Sequence, residues 1–525
     1  MVVGIFLLLL LPRLWIVLNS SYTFYSDDAI YATLAKSWTE WNLKGSFHPT
    51  WPPLYPALSA IFSLFPLNWE TASRLVALLA GTAIIAPMFF LLRKTISLAG
   101  AISFTLALSL FTPLLTISFM ALSDSLAVLL IIGGMVTVFL AFLHSPNFPN
   151  NKLLLLGSVL FGLVYLTRAE GMMFVFLTFI YLTFYFLIKR QIKLLIITVF
   201  SFVAVFFLTV SPYMISTRMQ IGEWSLSPKF SAQIQQGHAF ALNPRGTTWA
   251  QEVTSAKNPD YQSPYFKNGS DFAINRLYYF FRQYSPKQEK WQQVFLLIFP
   301  LWAVPLMLIG AVTILKKTYR WSLLYMIFIM VTAIPITIFS TPVQDIRYLA
   351  WTIPLFLYFF YLGVEKLVFL FLYWMEKKTL ITAAVTLLAV LLFPGTSLDN
   401  LTNPQKVAAN FSQTHNKKEL KIVGEWIKSN FFGSNPKVML RHEGVEFYAE
   451  GETVYLPQIS FEQLLDYAKK YQVDYLVAWD EELASDEKLV FLLNDKINHP
   501  GLQKVFSPNL PNTKIVVYTL LETND

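Results

Sequence analysis

The sequence lacks cysteine altogether and is poor in charge. None of its 525 residues is Cys, which excludes disulfide scaffolds, thiol catalysis, zinc–cysteine sites and iron–sulfur clusters. Only 14% of the residues are charged, whereas soluble globular proteins have about 25%. Hydrophobic residues make up 55% of the chain and aromatic residues 16%. This composition predicts an integral membrane protein with aromatic belts at the ends of its helices.

The usual motifs of soluble enzymes are missing as well. The sequence has no phosphate-binding glycine loop, no Gly-x-Gly-x-x-Gly after a strand and no His-Glu-x-x-His. The net charge of +8 belongs to the membrane part, because the C-terminal tail 396–525 has 13 Lys and Arg against 18 Asp and Glu. We therefore expect no nucleic-acid partner.

Long hydrophobic runs predict about eleven transmembrane helices, since each span requires roughly 17–25 mostly apolar residues. The first run resembles a signal peptide, but Arg13 interrupts it and no small-residue cleavage site follows, so we expect a retained helix. The runs lie near 2–19, 73–92, 96–115, 122–143, 153–167, 171–188, 194–212, 293–315, 321–340, 348–373 and 379–395.

The basic residues predict the orientation of these spans. Alternate short loops are basic and almost free of acid, so they should be cytoplasmic. Their residues are Arg93, Lys94, Lys152, Lys189, Arg190, Lys193, Lys316, Lys317, Arg320, Lys377 and Lys378. Loops 20–72 and 213–292 and the tail 396–525 are then extracytoplasmic. The expected location is the inner (plasma) membrane, with several passes.

Two domains are expected. Residues 1–395 form the membrane domain, and Pro394-Gly395 marks the exit from the membrane. The tail 396–525 has the pattern of a small α/β domain. Its predicted elements are a strand at 437–441, a helix at 461–471, a strand at 473–479, a helix near 486–497 and a strand at 514–521.

Two adjacent carboxylates follow the first span. Ser26 can cap a helix whose first turn contains Asp27 and Asp28. One interpretation is that both acids only complement the helix dipole. The other is that desolvation near the bilayer and mutual repulsion raise a pKa, which suits a general base.

The same loop continues with a proline-rich stretch that contains His48, Trp51 and Tyr55. The prolines impose a rigid, extended path. A sugar can stack on either Trp51 or Tyr55, although an interfacial aromatic belt explains them equally well. For His48, hydrogen bonding within the loop is favoured over metal binding.

Further polar groups lie at the predicted outer ends of helices. They are Asp124, Arg168, Glu170, Arg347 and Tyr348. The acids can cap the helices that follow, and the arginines can extend to the membrane interface. Alternatively, arginines at the outer surface can bind a lipid phosphate bidentately.

Arg13 lies within the first span, roughly 10 Å from its outer end at 1.5 Å per residue. An arginine inside the membrane is costly and is usually functional or paired. We therefore count it as a third candidate for phosphate binding.

Taken together, these residues resemble a known superfamily, the GT-C glycosyltransferases. The motifs are Asp-Asp-x-x-Tyr-Ala-x-x-Ala (27–35), Pro-Pro-Leu-Tyr (52–55), Leu-Thr-Arg-Ala-Glu-Gly (166–171) and Arg-Tyr-Leu (347–349) followed by Pro354. Glu425-Trp426-Ile427 and 473–477 are similar to the soluble tail of this superfamily. The branch most similar to this chain includes dolichyl-phosphate-mannose protein mannosyltransferases and bacterial aminoarabinose transferases.

The resemblance implies a membrane glycosyltransferase that takes a sugar from a polyprenyl-phosphate donor, with inversion, on the extracytoplasmic side. It implies that Asp27 is the catalytic base or helps to hold a divalent cation, and that Asp28 replaces a glutamate. The chain departs from the family at Thr50-Trp51, where aminoarabinose transferases have Glu-Lys. Arg168 or Arg347 would then supply the positive charge for the donor phosphate. The Trp-Trp-Asp signature of oligosaccharyltransferases is also absent.

Two other functions remain open on the sequence alone. A transporter or flippase for a lipid-linked sugar predicts internal repeats and broken helices near the membrane midplane, and no repeat is visible. A scaffold whose tail binds a partner does not require so many spans. The sugar, the acceptor (protein, lipid or glycan) and any metal requirement are not fixed by the sequence.

Overall fold

The computed structural model describes residues 2–143, 148–222, 224, 301–314, 319–340, 346–371, 403–441, 443–457, 459–484, 486–494, 496, 499–511 and 513–521. The predicted span 379–395, most of the predicted loop 213–292 and Asp345 lie outside these residues.

Helices dominate the described chain, and a 3-10 helix, Ile346–Leu349, lies between α14 and α15. The α-helices are α1 (Val2–Asn19), α2 (Asp27–Thr39), α3 (Leu43–Ser46), α4 (Leu54–Ser63), α5 (Trp69–Ala83), α6 (Ile85–Thr95), α7 (Leu98–Ser109), α8 (Thr112–Phe119), α9 (Asp124–Leu143), α10 (Asn151–Tyr165), α11 (Gly171–Ile188), α12 (Ile192–Ile221), α13 (Ala303–Thr313), α14 (Arg320–Ser340), α15 (Thr352–Phe371), α16 (Pro404–His415), α17 (Lys418–Asn430), α18 (Val445–Ala449), α19 (Phe461–Lys470) and α20 (Asp480–Leu483).

Six helical stretches among the described residues are long and apolar enough to cross a membrane. They are Val2–Asn19, Trp69–Thr95, Asp124–Leu143, Gly171–Ile188, Ile192–Ile221 and Arg320–Thr337. Four shorter apolar helices, α4, α7, α10 and α13, accompany them. The chain is a multi-pass membrane protein, as its composition predicts.

Some predicted spans are interrupted. The run at 96–115 forms two helices, α7 and α8, because Pro113 in the first turn of α8 has no backbone N–H to continue the α7 ladder. The run at 73–92 is divided near Ile84, where α5 ends and α6 begins. The run at 153–167 forms a helix of only 15 residues, α10.

The chain divides into two compact units, and their boundary differs from the predicted one. Of the described residues, the first unit contains those within Met1–Asn19, Ser37–Phe230 and Phe280–Ala409, and the second contains Ser20–Lys36 and those within Asn410–Asp525. This division differs from the predicted domains 1–395 and 396–525 in where it places residues 20–36. The start of the first outer loop belongs with the tail.

Helix α9 is central to the first unit. In this helix 78% of the apolar stretch is buried, against 22% in α1 and 28% in α12. It packs against α5, α10 and α14. Helices α1 and α12 carry the exposed apolar side chains, such as Leu8 and Phe200, which lipid would cover.

Two glycines bring α13 and α15 into backbone contact. A Cβ on Gly310 would lie 1.9 Å from the carbonyl oxygen of Phe359, and one on Gly363 would lie 1.8 Å from that of Leu306. No other residue fits at either position without moving a helix. Small residues of this kind allow close helix packing in membranes.

The second unit contains a mixed five-stranded sheet. Its strands are β1 (Lys437–Leu440), β2 (Glu452–Tyr455), β3 (Tyr475–Trp479), β4 (Leu502–Phe506) and β5 (Ile515–Leu520), in the order β2-β1-β3-β5-β4. Strand β1 is parallel to β2 and β3, and β5 is antiparallel to β3 and β4. Helices cover both faces, with Leu464 of α19 on one and Val423 of α17 on the other. The predicted α/β domain is confirmed.

Two details of the tail prediction differ from the structure. Strands β2 and β4 were not expected. The helix predicted near 486–497 is a single 3-10 turn, Val490–Leu493.

Residues from the first loop form part of the core of this second unit. Phe24 is fully buried, and its ring contacts that of Phe447 edge to face at 5.0 Å. Its backbone N–H donates to the hydroxyl of Tyr448 at 3.0 Å. The N–H of Ser26 donates to the carbonyl of Glu443 at 2.8 Å. Residues 20–36 are thus held by specific contacts to the tail.

Candidate functional site

Five predicted site residues lie together at one end of the first unit's helices. Asp124 begins α9, Arg168 and Glu170 lie between α10 and α11, and Arg347 and Tyr348 lie in the 3-10 helix. All five line one small cavity. We call these five residues the arginine cluster. The folded chain therefore joins polar groups that the sequence places at separate helix ends.

Arg168 is the centre of the arginine cluster. Its Nη1 donates to Oδ1 of Asp124 at 2.5 Å, and its Nη2 donates to Oε1 of Glu170 at 2.8 Å. Burial opposes the charge of this guanidinium, but the two carboxylates outweigh that effect and raise the pKa of Arg168 well above its ordinary value. Glu170 makes no side-chain capping bond to α11. Its carboxylate binds Arg168 instead of capping the helix.

Tyr348 brings the two arginines together. The guanidinium carbon of Arg168 lies 5.0 Å from the centre of the Tyr348 ring, and that of Arg347 lies 5.4 Å from it. A cation over an aromatic face contributes about 0.5–2 kcal/mol. The ring thus stabilises two like charges near each other.

The cavity of the arginine cluster is narrow and has an apolar side. Its volume is about 20 Å³, and Val128, Ile131 and Trp351 complete its lining. A space of this size holds about one water molecule. Two arginines face two carboxylates here, so the formal charges cancel. A phosphate can enter only if it displaces one of these ion pairs or if the side chains move.

Sequence reasoning missed Trp351, which lines the same cavity. Its ring contacts Phe174 of α11 edge to face at 5.2 Å. The available signal was its position four residues after Arg347 in the sequence.

Asp28 is buried, and donors surround its carboxylate. Oδ2 accepts from the hydroxyl of Tyr22 at 2.6 Å, and Oδ1 accepts from the N–H groups of Tyr25 at 2.6 Å and Ala29 at 3.0 Å. Burial raises the pKa of Asp28 to about 7, although these three donors oppose the shift. This carboxyl fixes the turn that enters α2.

Asp27 begins α2 and is partly exposed. It belongs to the second unit, as does Asp28. The preceding residue, Ser26, has a φ of 71°, so the chain reverses sharply just before the helix. Because Asp28 is buried and Asp27 is partly exposed, Asp27 is the more accessible of the two acids to a substrate.

Arg13 has partners inside the helical bundle. Its Nη1 donates to Oγ1 of Thr82 at 3.1 Å, and its Nη2 donates to the carbonyl of Ser109 at 2.5 Å. It does not line the cavity of the arginine cluster. Its contacts join α1 to α5 and α7, and its predicted role in phosphate binding stays a prediction.

The proline-rich loop also has a structural role. The ring of Trp51 is 3% exposed and that of Tyr55 is fully buried, with its hydroxyl donating to the carbonyl of Ser73 at 2.8 Å. Nδ1 of His48 accepts from the N–H of Thr50 at 3.0 Å. Both rings are buried in the described structure, so stacking of a sugar on Trp51 or Tyr55 would require the loop to move, and it stays a prediction.

The carboxylates of the described residues do not fit a metal site. No group of three or more His, Asp or Glu side chains comes together there in a suitable arrangement. In the arginine cluster, Arg168 already forms ion pairs with both Asp124 and Glu170. We therefore assign no step to a divalent cation.

No protein-family model matches the sequence. A sequence search of curated proteins also finds no match.

Solved structures are similar over almost the whole chain. The apo oligosaccharyltransferase of Archaeoglobus fulgidus is 13% identical, with a TM-score of 0.64 over 97% of this chain and 80% of that one. The chain has the GT-C fold. The archaeal oligosaccharyltransferase AglB, also from Archaeoglobus fulgidus, in complex with an inhibitory peptide and a dolichol-phosphate is 11% identical, with a TM-score of 0.58 over 91% of this chain and 69% of that one. ArnT from Cupriavidus metallidurans bound to undecaprenyl phosphate is 12% identical, with a TM-score of 0.50 over 98% of this chain and 97% of that one.

Proposed function

We propose that this protein is a glycosyltransferase that moves a sugar from a polyprenyl-phosphate donor to an acceptor hydroxyl, with inversion. The observation that carries this proposal is the arginine cluster, in which two arginines meet at one end of a GT-C membrane fold. Two proteins of this fold were solved with a polyprenyl phosphate, which supports the same donor class here.

Arg347 and Arg168 are the contacts for the donor phosphate. Arg168 is bound to Asp124 and Glu170, and Arg347 lines the same cavity beside Tyr348. A phosphate that enters beside Tyr348 gains charge-assisted hydrogen bonds from Arg347. Arg168 then contributes as its bond to Glu170, the more exposed of its two carboxylate partners, gives way to the phosphate.

Asp27 is the catalytic base. The acceptor hydroxyl gives its proton to the Asp27 carboxylate, and the acceptor oxygen bonds to the anomeric carbon. The bond between that carbon and the phosphate oxygen breaks with its electron pair, and the lipid phosphate leaves. Guanidinium groups stabilise the negative charge of the leaving phosphate. Asp28, held by three donors, positions the turn that presents Asp27.

The reaction takes place on the extracytoplasmic side of the inner membrane. The short loops with Arg93, Lys94, Lys189 and Arg190 are basic, and such loops remain in the cytoplasm. The arginine cluster lies at the opposite helix ends, since α11 runs from Gly171 next to the cluster to Ile188 next to Lys189. The acceptor is a protein, a lipid or a glycan of the cell envelope.

Binding of a polyprenyl phosphate to the purified full-length chain tests the donor class. We expect saturable binding that the corresponding polyprenyl alcohol does not displace, because the arginines recognise the phosphate. Arg93→Gln, at an exposed helix end on the other side, should bind normally. Equal binding of the alcohol and the phosphate would contradict the proposal.

A further inference from the structure

A second cavity lies at the other end of the first unit's helices. Its volume is about 330 Å³, and the polar residues Thr95, Thr313, Tyr319, Glu365 and Lys366 line it. We call it the Glu365 pocket. Its size lies within the range of small-molecule sites, about 300–1,000 Å³.

The Glu365 pocket is far from the arginine cluster. Trp351 precedes α15, and Glu365 lies fourteen residues later, which corresponds to about 21 Å along a helix at 1.5 Å per residue. The hydroxyl of Tyr319 donates to the carbonyl of Lys94 at 2.8 Å, so the basic end of α6 borders the pocket. The two sites therefore lie at opposite membrane surfaces.

Glu365 is unusual in an apolar helix. It lies in the second half of α15 and makes no hydrogen bond or salt bridge to another described residue. A carboxylate in an apolar membrane helix is costly, and such residues usually mark a binding site or an ion path. The next residue, Lys366, is exposed. The pocket thus presents a negative group beside a positive one.

The surroundings of the pocket favour a lipid over a soluble ligand. Helix α13 contributes Thr313 to the lining. On the same helix Leu308 and Val312 are 62% and 64% exposed, and lipid tails would cover them. Helices α13 and α15 are in backbone contact at Gly310 and Gly363. This close packing fixes the spacing of the two helices that contribute Thr313 and Glu365 to the lining.

We propose that the Glu365 pocket binds the headgroup of a phospholipid that carries a primary ammonium group, as phosphatidylethanolamine does. The ammonium donates to the Glu365 carboxylate and to a pocket hydroxyl of Thr95 or Tyr319. The phosphate lies at Lys366. A primary ammonium supplies three donors, whereas the trimethylammonium of phosphatidylcholine supplies none. The lipid belongs to the leaflet that faces the basic loops.

Native mass spectrometry of the purified full-length chain tests this site. Phosphatidylethanolamine and phosphatidylcholine with the same acyl chains are offered at equal concentration. We expect the wild-type protein to retain phosphatidylethanolamine about tenfold more strongly, as one charge-assisted hydrogen bond implies. Equal retention by the wild-type protein would overturn the proposal without any variant.

Two variants locate the site. Glu365→Gln keeps the size of the side chain and should abolish the preference, whereas Glu40→Gln, at an exposed carboxylate elsewhere in the first unit, should keep it. Lys366→Gln should weaken both lipids equally, because both contain a phosphate. Soluble phosphoethanolamine should not displace the lipid. A preference that survives in Glu365→Gln, or displacement by soluble phosphoethanolamine, would overturn the assignment.

Discussion

The hydroxyl of Tyr22 donates a 2.6 Å hydrogen bond to Oδ2 of Asp28. Both residues belong to the compact unit that also contains the C-terminal tail. The ring of Tyr22 stacks on that of Phe411 at 6.0 Å. The bond and the stacking together tie the start of α2 to the tail, and the carboxylate proposed as the base, Asp27, is the first residue of that helix.

Asp28 should make this turn sensitive to pH. Its pKa is about 7 in the folded protein because of burial, against 3.8 for an ordinary aspartate. Between about pH 4 and pH 7 the folded state therefore binds more protons than the unfolded state, and stability falls as the pH rises. Amide hydrogen exchange of residues 22–30, corrected for the intrinsic rate, should show stronger protection at pH 5 than at pH 8.

Asp28→Asn should reduce this pH dependence. Asn keeps the carbonyl that accepts from Tyr25 and Ala29, and the Tyr22 hydroxyl can rotate to accept from the new amide. A smaller dependence should remain, because burial also raises the pKa of Glu446 in the same unit to about 8. Asp466→Asn, at an exposed site of α19, is the control. An unchanged profile in Asp28→Asn would show that this carboxyl is not the sensor.

The two arginines of the site should respond differently to substitution. Arg347→Gln should weaken polyprenyl phosphate binding roughly tenfold to a hundredfold, since one charge-assisted contact contributes about 1.5–3 kcal/mol. Arg168→Gln leaves the buried Asp124 without its partner, and breaking a buried pair costs about 3–5 kcal/mol. Binding assays and thermal unfolding of the full chain measure both effects.

The double variant Arg168→Gln/Asp124→Asn is the matched control for that comparison. It removes both charges of the shorter of the two ion pairs that Arg168 makes and should recover part of the lost stability. If Arg347→Gln bound the donor normally and Arg168→Gln were fully stable, the roles assigned to the two residues would be wrong.

The variant Asp27→Asn should fold normally but should lose most of its glycosyltransferase activity. Asn is as good as Asp at a helix N-terminus, so expression and donor binding should be normal. Turnover should fall by roughly 10²–10⁴, the usual contribution of a general base. Glu40→Gln, in the same loop, should remain active. Turnover above about half of the wild-type value in Asp27→Asn would exclude Asp27 from the mechanism.

Packing of Phe24 in the core of the tail's unit should be required for normal turnover. Phe24→Ala removes a fully buried ring that packs on Phe447, and such truncations cost about 3–5 kcal/mol. We expect lower turnover with unchanged polyprenyl phosphate binding, because Arg347 lies in the other unit. Phe432→Ala, at a fully exposed ring, is the control. Normal turnover in Phe24→Ala would argue that the tail does not hold the catalytic turn.

Much of this fold follows from hydrophobic length and periodicity. The run at 171–188 has the bounds of α11, and the amphipathic pattern at 461–471 gives α19. Strands β2 and β4 were missed because they are short and partly charged, and pairing with β1 and β5 stabilises them. The sequence of one short segment does not show which strands it pairs with.

The site was predictable as a list of residues but not as a set of contacts. The sequence places Asp124 and Arg168 at helix ends of one side, yet their hydrogen bond joins residues far apart in the chain. The burial of Trp51 and Tyr55 could not be predicted from the sequence, because an aromatic residue in a proline-rich loop is equally compatible with the surface and with the core. The place of residues 20–36 in the tail's unit depends on tertiary packing around Phe24.

The most direct measurement of the proposed activity is release of lipid phosphate by the purified full-length protein. A panel of synthetic polyprenyl-phosphate sugars is incubated with the protein in detergent or nanodiscs, and free polyprenyl phosphate is quantified. We predict that at least one sugar donor releases its lipid phosphate, and that Asp27→Asn and Arg347→Gln both reduce this release. Absence of release from every donor, or release that neither variant reduces, would contradict a polyprenyl-phosphate-sugar transferase with this site.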